Sequence, residues 1–93
     1  MKRTLLKSAT FIRAAKKVVR RDQQVAEAIR DTLTQLSEDA FHPTLKTHKL
    51  KGNLAGSWAC SVEYDLRIVF EFVQHEGVEA ILLETIGTHD EVY

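Results

Sequence analysis

The end of the chain carries the residues best suited to acid–base chemistry. His89 comes two positions after Gly87, and the aromatic residue Tyr93 stands four positions after His89. An imidazole gives or takes a proton near neutral pH and an aromatic ring stacks on a base, so this pair suits chemistry on a nucleotide. The apolar run 78–83 predicts a strand that stops at Gly87, which would place His89 on a loop at a sheet edge.

A second histidine lies in a basic segment upstream. His48 stands between Lys46 and Lys49, and Lys51 follows. Taken alone, this pattern is typical of an exposed loop histidine. Beside a phosphate, the same histidine and lysines could transfer a proton and stabilise negative charge.

A third segment places an acid and an arginine in a predicted strand. The two neighbours of Arg67 are apolar and would face the core, so Arg67 should point to the other side of the sheet. There it could form an ion pair with Glu63 or Glu84, or bind a phosphate. Asp65 begins the same strand and could equally serve as a turn residue.

Metal and thiol chemistry are less favoured by the sequence. His48, Asp65 and His89 could bind a metal by composition, but they lack a local ligand spacing such as His-x-x-x-His. Cys60 lies in an apolar strand pattern, so we expect it to be buried rather than nucleophilic. We therefore predict no metal and no cofactor.

Length and composition indicate a single small domain spanning residues 1–93. The chain has 93 residues, of which 44% are hydrophobic and 28% charged. No apolar run approaches the ~20 residues that a membrane span needs, so no membrane partner is expected. A single cysteine and the lack of a signal-peptide pattern favour a cytoplasmic protein.

The charges are distributed very unevenly along the chain. The net charge is zero, yet residues 1–21 carry eight bases and no acid, whereas residues 52–93 carry eight acids and one base. Such a basic segment is either a solvated helix face or a surface for a polyanion such as RNA. The candidate RNA-binding residues at helical spacing are Lys16, Lys17, Arg20 and Arg21, to which the loop adds Lys49 and Lys51.

Two adjacent helices are predicted in the first half. Ser8 can cap a helix that runs to about residue 21, and Asp22 can cap a second that runs to about residue 37. Apolar residues recur at helical spacing in both, and almost no linker separates them, so they should form a helical hairpin. A short strand at 4–6 precedes them, and residues 38–56 are predicted to be loop.

Three strands are predicted in the second half, at 57–64, 66–73 and 78–86. Their short connections favour an antiparallel meander whose apolar face the helices must cover. The expected fold class is therefore α+β, with a short N-terminal strand and a helical hairpin packed on an antiparallel sheet, in the order β-α-α-β-β-β.

This order of motifs resembles the RelE/ParE superfamily of toxins from bacterial type II toxin–antitoxin pairs, most closely the YafQ-like branch. The resemblance covers nearly the whole chain. It is carried by the His-x-Leu-x-Gly segment from His48, the Asp-x-Arg-Ile-Val-Phe strand from Asp65, and the closing Ile-Gly-Thr-His at 86–89.

The resemblance implies a role for each matching residue. His48 matches a catalytic histidine, Asp65 an acidic active-site position, and Arg67 an arginine near the scissile phosphate. His89 matches the catalytic histidine after Gly-Thr, and Tyr93 a C-terminal aromatic of the same site.

The chain departs from the pattern at Ser61, where YafQ-like proteins carry a further histidine. Arg67 is expected to do part of that residue's work. The family implies a ribosome-dependent endoribonuclease that cuts mRNA by metal-independent acid–base chemistry and inhibits translation. A cognate antitoxin would hold it inactive in a hetero-oligomer.

Two other functions stay open at this stage. ParE-type toxins of the same fold act on DNA gyrase and do not cleave RNA, and a non-catalytic module could simply bind an antitoxin. Neither requires two histidines and an arginine, so their presence here favours the nuclease.

Overall fold

The computed structural model of the chain describes residues 2–63 and 65–93. Its strands are β1 (Thr4–Lys7), β2 (His48–Lys49), β3 (Trp58–Ser61), β4 (Leu66–His75) and β5 (Val78–Thr88). Its helices are α1 (Ala9–Arg21), α2 (Val25–Glu38) and α3 (His89–Val92), and short 3-10 turns lie at Pro43–Leu45 and Gly52–Leu54. The predicted α+β class and the order of its main elements are confirmed.

The start of each long helix is set by a side chain that precedes it. The Ser8 side chain accepts a hydrogen bond from the Phe11 N–H at 3.0 Å, as predicted for a capping serine. The second helix begins at Val25, slightly later than expected, because the Asp22 carboxylate accepts the Gln24 N–H at 3.1 Å and shapes the turn instead. The predicted helical hairpin is therefore confirmed with a shifted start.

The antiparallel meander predicted for the last three strands is confirmed, and β1 adds a parallel pair that was not predicted. The strand order is β1-β5-β4-β3-β2, and β1 pairs with β5 in parallel while all other pairs are antiparallel. The prediction also missed β2, which lies inside the segment 38–56 predicted to be loop. The strand predicted at 57–64 spans only Trp58–Ser61, and Tyr64 lies outside the described residues.

The helices cover one face of the sheet, as expected. Fully buried side chains from both layers meet there, among them Leu36 on α2, Ile68 and Phe70 on β4 and Leu83 on β5. Burying large apolar side chains is the main favourable term in folding such a domain. The opposite surface, which we call the open face, carries the alternate residues of β3, β4 and β5.

A β-bulge in β5 sets the register near the end of the sheet. Phe70 pairs with Leu83 but Val69 pairs with Thr85, so Glu84 is an extra residue. The Ser8 hydroxyl donates to the Glu84 carbonyl at 3.1 Å and the Ser57 hydroxyl to the Glu84 carboxylate at 2.7 Å. The bulge explains why the buried residues of β5 change spacing, and it brings Gly87 opposite Arg67.

No helix in the described part of the chain is both long and apolar enough to span a membrane.

Candidate active site

The last strand passes directly into a short helix that carries the terminal histidine. Strand β5 continues through Gly87 to Thr88, and His89 is the first residue of α3. The predicted loop location of His89 is therefore wrong. The Thr88 side chain accepts from the Glu91 N–H and the Glu91 carboxylate accepts from the Thr88 N–H, which together form a capping box.

The aromatic ring of Tyr93 lies between the two candidate histidines. The ring centroids of His89 and Tyr93 are 4.5 Å apart in a T-shaped arrangement, because residues four apart share one face of a helix. The Tyr93 hydroxyl lies 3.4 Å from Nε2 of His48, which reaches it from β2. The structure thus brings His48, His89 and Tyr93 together.

The hydrogen bonds of His48 favour one protonation pattern. Its Nδ1 lies 3.0 Å from the Lys46 carbonyl oxygen, which can only accept, so Nδ1 is assigned as the donor. In the neutral ring, Nε2 is then an acceptor that faces the Tyr93 hydroxyl. At 3.4 Å this second contact is long, so another hydroxyl could replace it readily.

Tyr93 keeps its hydroxyl proton over a wide pH range. Burial raises the pKa of Tyr93 above its ordinary value, and the nearby positive charge of Arg67 offsets only part of that effect. The Tyr93 hydroxyl is therefore a neutral hydrogen-bond donor at physiological pH.

Arg67 lies on the open face of the sheet, half-buried and next to this cluster. It pairs in register with Ser61 on one side and Gly87 on the other. Its Nη1 donates to the carbonyl oxygens of Leu66 at 3.2 Å and Glu63 at 3.4 Å. Within residues 2–63 and 65–93, no carboxylate forms an ion pair with Arg67. The guanidinium therefore keeps donors that a phosphate could accept.

The thiol beneath this face is inert. Cys60 is fully buried, and burial raises its pKa to about 12. A thiolate nucleophile is therefore not available at neutral pH, in agreement with the sequence analysis.

Asp65 lies just before β4, close to Thr88, which is the residue directly before His89. It is exposed and lines a cavity of about 370 Å³ where the turn between the two long helices meets the start of β4. The side chains that share this cavity with it include Val18, Arg21 and Glu63. The described residues contain no group of three potential metal ligands, so His48, Asp65 and His89 do not form the metal site considered above.

The candidate RNA-binding cations are exposed but point in different directions. On α1, Lys16 and Arg20 line a groove of about 740 Å³ between the two long helices, whereas Arg21 reaches the carboxylate of Glu91 at 3.4 Å. Lys17 is exposed on the same helix. In the segment around β2, Lys51 is exposed and the ammonium of Lys49 lies 5.5 Å from the centre of the Trp58 ring.

Sequence analysis missed Glu91, although a local signal was present. The pattern Thr-x-x-Glu at 88–91 is a capping-box pattern and predicts a helix start. Its contact with Arg21 joins residues 70 positions apart, so no local pattern could reveal it. Sequence analysis also missed a carboxyl pair on the open face, where a hydrogen bond with Glu84 raises the pKa of Glu71.

Comparison with known proteins places the chain among bacterial toxins. A family model described as "Bacterial toxin of type II toxin-antitoxin system, YafQ" matches residues 3–93. Among curated proteins, none matches the sequence significantly.

Several solved structures share the architecture. A metal-bound toxin from Helicobacter pylori is 26% identical, with a TM-score of 0.78 and coverage of 100% of both chains. YafQ from E. coli strain BL21(DE3) is 17% identical, with a TM-score of 0.79 and 99% coverage of each chain. The E. coli DinJ-YafQ complex gives 19% identity, a TM-score of 0.79 and the same coverage. The five-stranded sheet with its two covering helices is therefore an architecture that these toxins share.

Proposed function

We propose that this chain, which belongs to the YafQ family of bacterial toxins from type II toxin–antitoxin systems, is an endoribonuclease that cuts mRNA on the ribosome. The observation that carries the proposal is the meeting of His48, His89 and Tyr93 at one end of the open face, beside Arg67. Two imidazoles and a guanidinium around one space suit attack of a ribose hydroxyl on its neighbouring phosphate.

The two histidines supply the proton transfers. The ribose 2′-hydroxyl loses a proton as it attacks the phosphate, and the 5′-oxygen gains one as it leaves. His48 is the base, because its Nε2 is the acceptor when Nδ1 donates to Lys46. His89 is the acid. Acid–base assistance of this kind is worth ~10²–10⁴-fold in rate.

Substrate entry replaces one contact of the free protein. The 2′-hydroxyl takes the place of the Tyr93 hydroxyl at Nε2 of His48, where the present contact is 3.4 Å long. The displaced phenol ring can then stack on a base. Arg67 donates to the phosphate oxygens as negative charge develops on them.

Asp65 is assigned no proton transfer in this proposal. Among the described residues it forms no ion pair with either histidine, and it lines the cavity at the end of the sheet together with Thr88. Its active-site role remains a prediction from the family resemblance alone.

The ribosome and its mRNA bind the basic residues of α1 and of the segment around β2. Lys16, Lys17 and Arg20 on α1 contact phosphates of the RNA. Lys51 holds the strand next to His48, whereas Lys49 lies over Trp58, on the opposite face of the sheet from His48. Because each phosphate contact releases counterions, binding should weaken steeply as salt increases. The cytoplasm, where ribosomes translate, is the proposed place of action.

The toxin is held inactive by a cognate antitoxin. Its proposed binding site is the groove between the two long helices. The floor of the groove is apolar, with Ile12 40% exposed, and basic side chains surround it. Those basic residues are Lys7, Lys16, Arg20 and Arg30. An acidic antitoxin segment that folds into an amphipathic helix on binding fits this combination.

The decisive experiment is primer extension on an mRNA translated in a purified system, with and without the protein. The proposal expects discrete cuts that appear only when ribosomes are present. Cuts in free RNA would indicate a general ribonuclease instead. Intact RNA together with blocked gyrase would indicate a ParE-type toxin.

A bell-shaped pH profile is expected if both histidines act. One imidazole must be neutral and the other protonated, so single-turnover cleavage should pass through a maximum between roughly pH 5 and 9. The raised pKa of Tyr93 keeps its hydroxyl protonated over this range, so the alkaline limb reports the histidines. The rate is measured on preformed ribosome complexes at each pH. A flat profile would contradict the histidine pair and favour positioning and charge stabilisation alone.

A further inference from the structure

The helix that carries the catalytic candidates is too short to stabilise itself. Helix α3 has four residues, His89–Val92, whereas isolated helices shorter than ~12 residues are marginal in water. Its first residue is His89, and Tyr93 follows its last. The position of both rings therefore depends on contacts that α3 makes with the rest of the protein.

Glu91 provides two of those contacts. Its carboxylate accepts the Thr88 N–H at 2.9 Å, and both of its oxygens lie 3.4 Å from Nη2 of Arg21. The bond from the Thr88 N–H, followed by that from Arg21, lowers the pKa of Glu91. Glu91 therefore stays ionised and joins the start of α3 to the last turn of α1.

Arg21 comes from a helix that is anchored in the core. It is the last residue of α1, and Val18, three positions before it, is buried in the core. On the other side of α3, Gly87 leaves room for close packing: a Cβ atom there would lie 3.1 Å from the Glu91 Cβ and 3.2 Å from a Val92 methyl. Helix α3 is thus held between the end of β5 and the end of α1.

We propose that Arg21 is a positioning residue for cleavage: through Glu91 and Thr88 it holds α3 so that His89 and Tyr93 face His48. This inference rests on the proposed function. It separates Arg21 from Lys16, Lys17 and Arg20, because its guanidinium binds a carboxylate of the same chain.

The first test separates positioning from RNA binding. Arg21→Gln should lower kcat about threefold, the size of effect typical of exposed ion pairs, and leave KM for programmed ribosomes nearly unchanged. Arg21→Lys should restore part of kcat. Arg13→Gln removes the same charge from the same helix and serves as the matched control; it should not lower kcat. Equal effects of both glutamine variants on KM alone would overturn the proposal.

Variants of Glu91 sharpen the distinction. Glu91→Gln retains a capping oxygen but loses the charge pair, so it should lower kcat about as much as Arg21→Gln. Glu91→Ala also loses the cap and should lower kcat about tenfold. The double variant Arg21→Gln with Glu91→Gln should be no worse than either single one, because both remove the same contact. If Arg21 bound RNA instead, Glu91→Gln would release it and strengthen ribosome binding, which would sink the inference.

A spectroscopic measurement tests the inference without any cleavage. The Tyr93 ring stands 4.5 Å from the His89 ring, so it should shift the His89 ring protons in NMR spectra of the free protein. Arg21→Gln and Glu91→Ala should move these signals toward random-coil positions, and Glu27→Gln on α2 should not. Unchanged His89 signals in both variants would overturn the positioning role. A wild-type protein that never cuts mRNA would instead overturn the proposed function.

Discussion

Replacing His89 by alanine is expected to abolish growth inhibition and to lower the rate of mRNA cleavage by about 10²–10⁴-fold. The side chain is 59% exposed, so its removal should leave the fold intact. Arg67→Ala should have a comparable effect, because the Arg67 guanidinium forms no ion pair within the described residues and is the group assigned to the phosphate. His48→Ala should be weaker but clear, since β2 is only two residues long.

Two variants provide the controls. His75→Ala removes an exposed histidine at the far end of β4 and should leave toxicity unchanged. Arg13→Ala removes an exposed arginine outside the site. Folding is checked by circular dichroism, and toxicity is compared at equal expression. Full toxicity of either His89→Ala or Arg67→Ala would show that the site is wrongly assigned.

The elements that the sequence predicted well are those with a local pattern. The buried stripe of α1 repeats at helical spacing around Phe11 and Val18, and alternation along β4 places Ile68 and Phe70 in the core. Such patterns are set by burial, and so they can be read from neighbouring residues. The class, the helical hairpin and the meander followed from them.

The elements that the sequence did not reveal depend on distant partners. The parallel pairing of β1 with β5 joins opposite ends of the chain, for example Leu5 with Ile81. Strand β2 is too short for alternation to show, and it exists because His48 pairs with Ala59 of β3. The location of His89 was misjudged because Gly87 was taken as a strand end, whereas it makes room for α3.

The contacts of the candidate site also divide into local ones and ones between distant residues. The pairing of His89 with Tyr93 is local and was foreseeable from their spacing. The approach of His48 to Tyr93 joins residues 45 positions apart, and only the family resemblance predicted it. Asp65 matches an active-site position by the resemblance alone, and its role stays a prediction; in the structure it lines a cavity together with Thr88, the residue before His89.

Reversing the basic charges of α1 is the second change with a large expected effect. The triple variant Lys16→Glu, Lys17→Glu and Arg20→Glu should weaken ribosome binding on the order of 10²-fold or more at moderate salt. It should also flatten the salt dependence of binding, by about one unit of log–log slope for each lost phosphate contact. Arg21 is left in place, so that α3 keeps its contact with α1. Affinities are measured by sedimentation with ribosomes at several salt concentrations.

Single variants show which basic residues of α1 bind the antitoxin and which bind the ribosome. Lys16→Glu and Arg20→Glu change the groove between the helices, so they should weaken binding of both the antitoxin and the ribosome. Lys17 does not line that groove, so Lys17→Glu should weaken ribosome binding alone. Lys2→Glu makes the same change in net charge elsewhere on the surface and should affect neither. If the triple variant keeps both affinities in moderate salt, the basic side of α1 is only a solvated surface, and the partners must bind elsewhere.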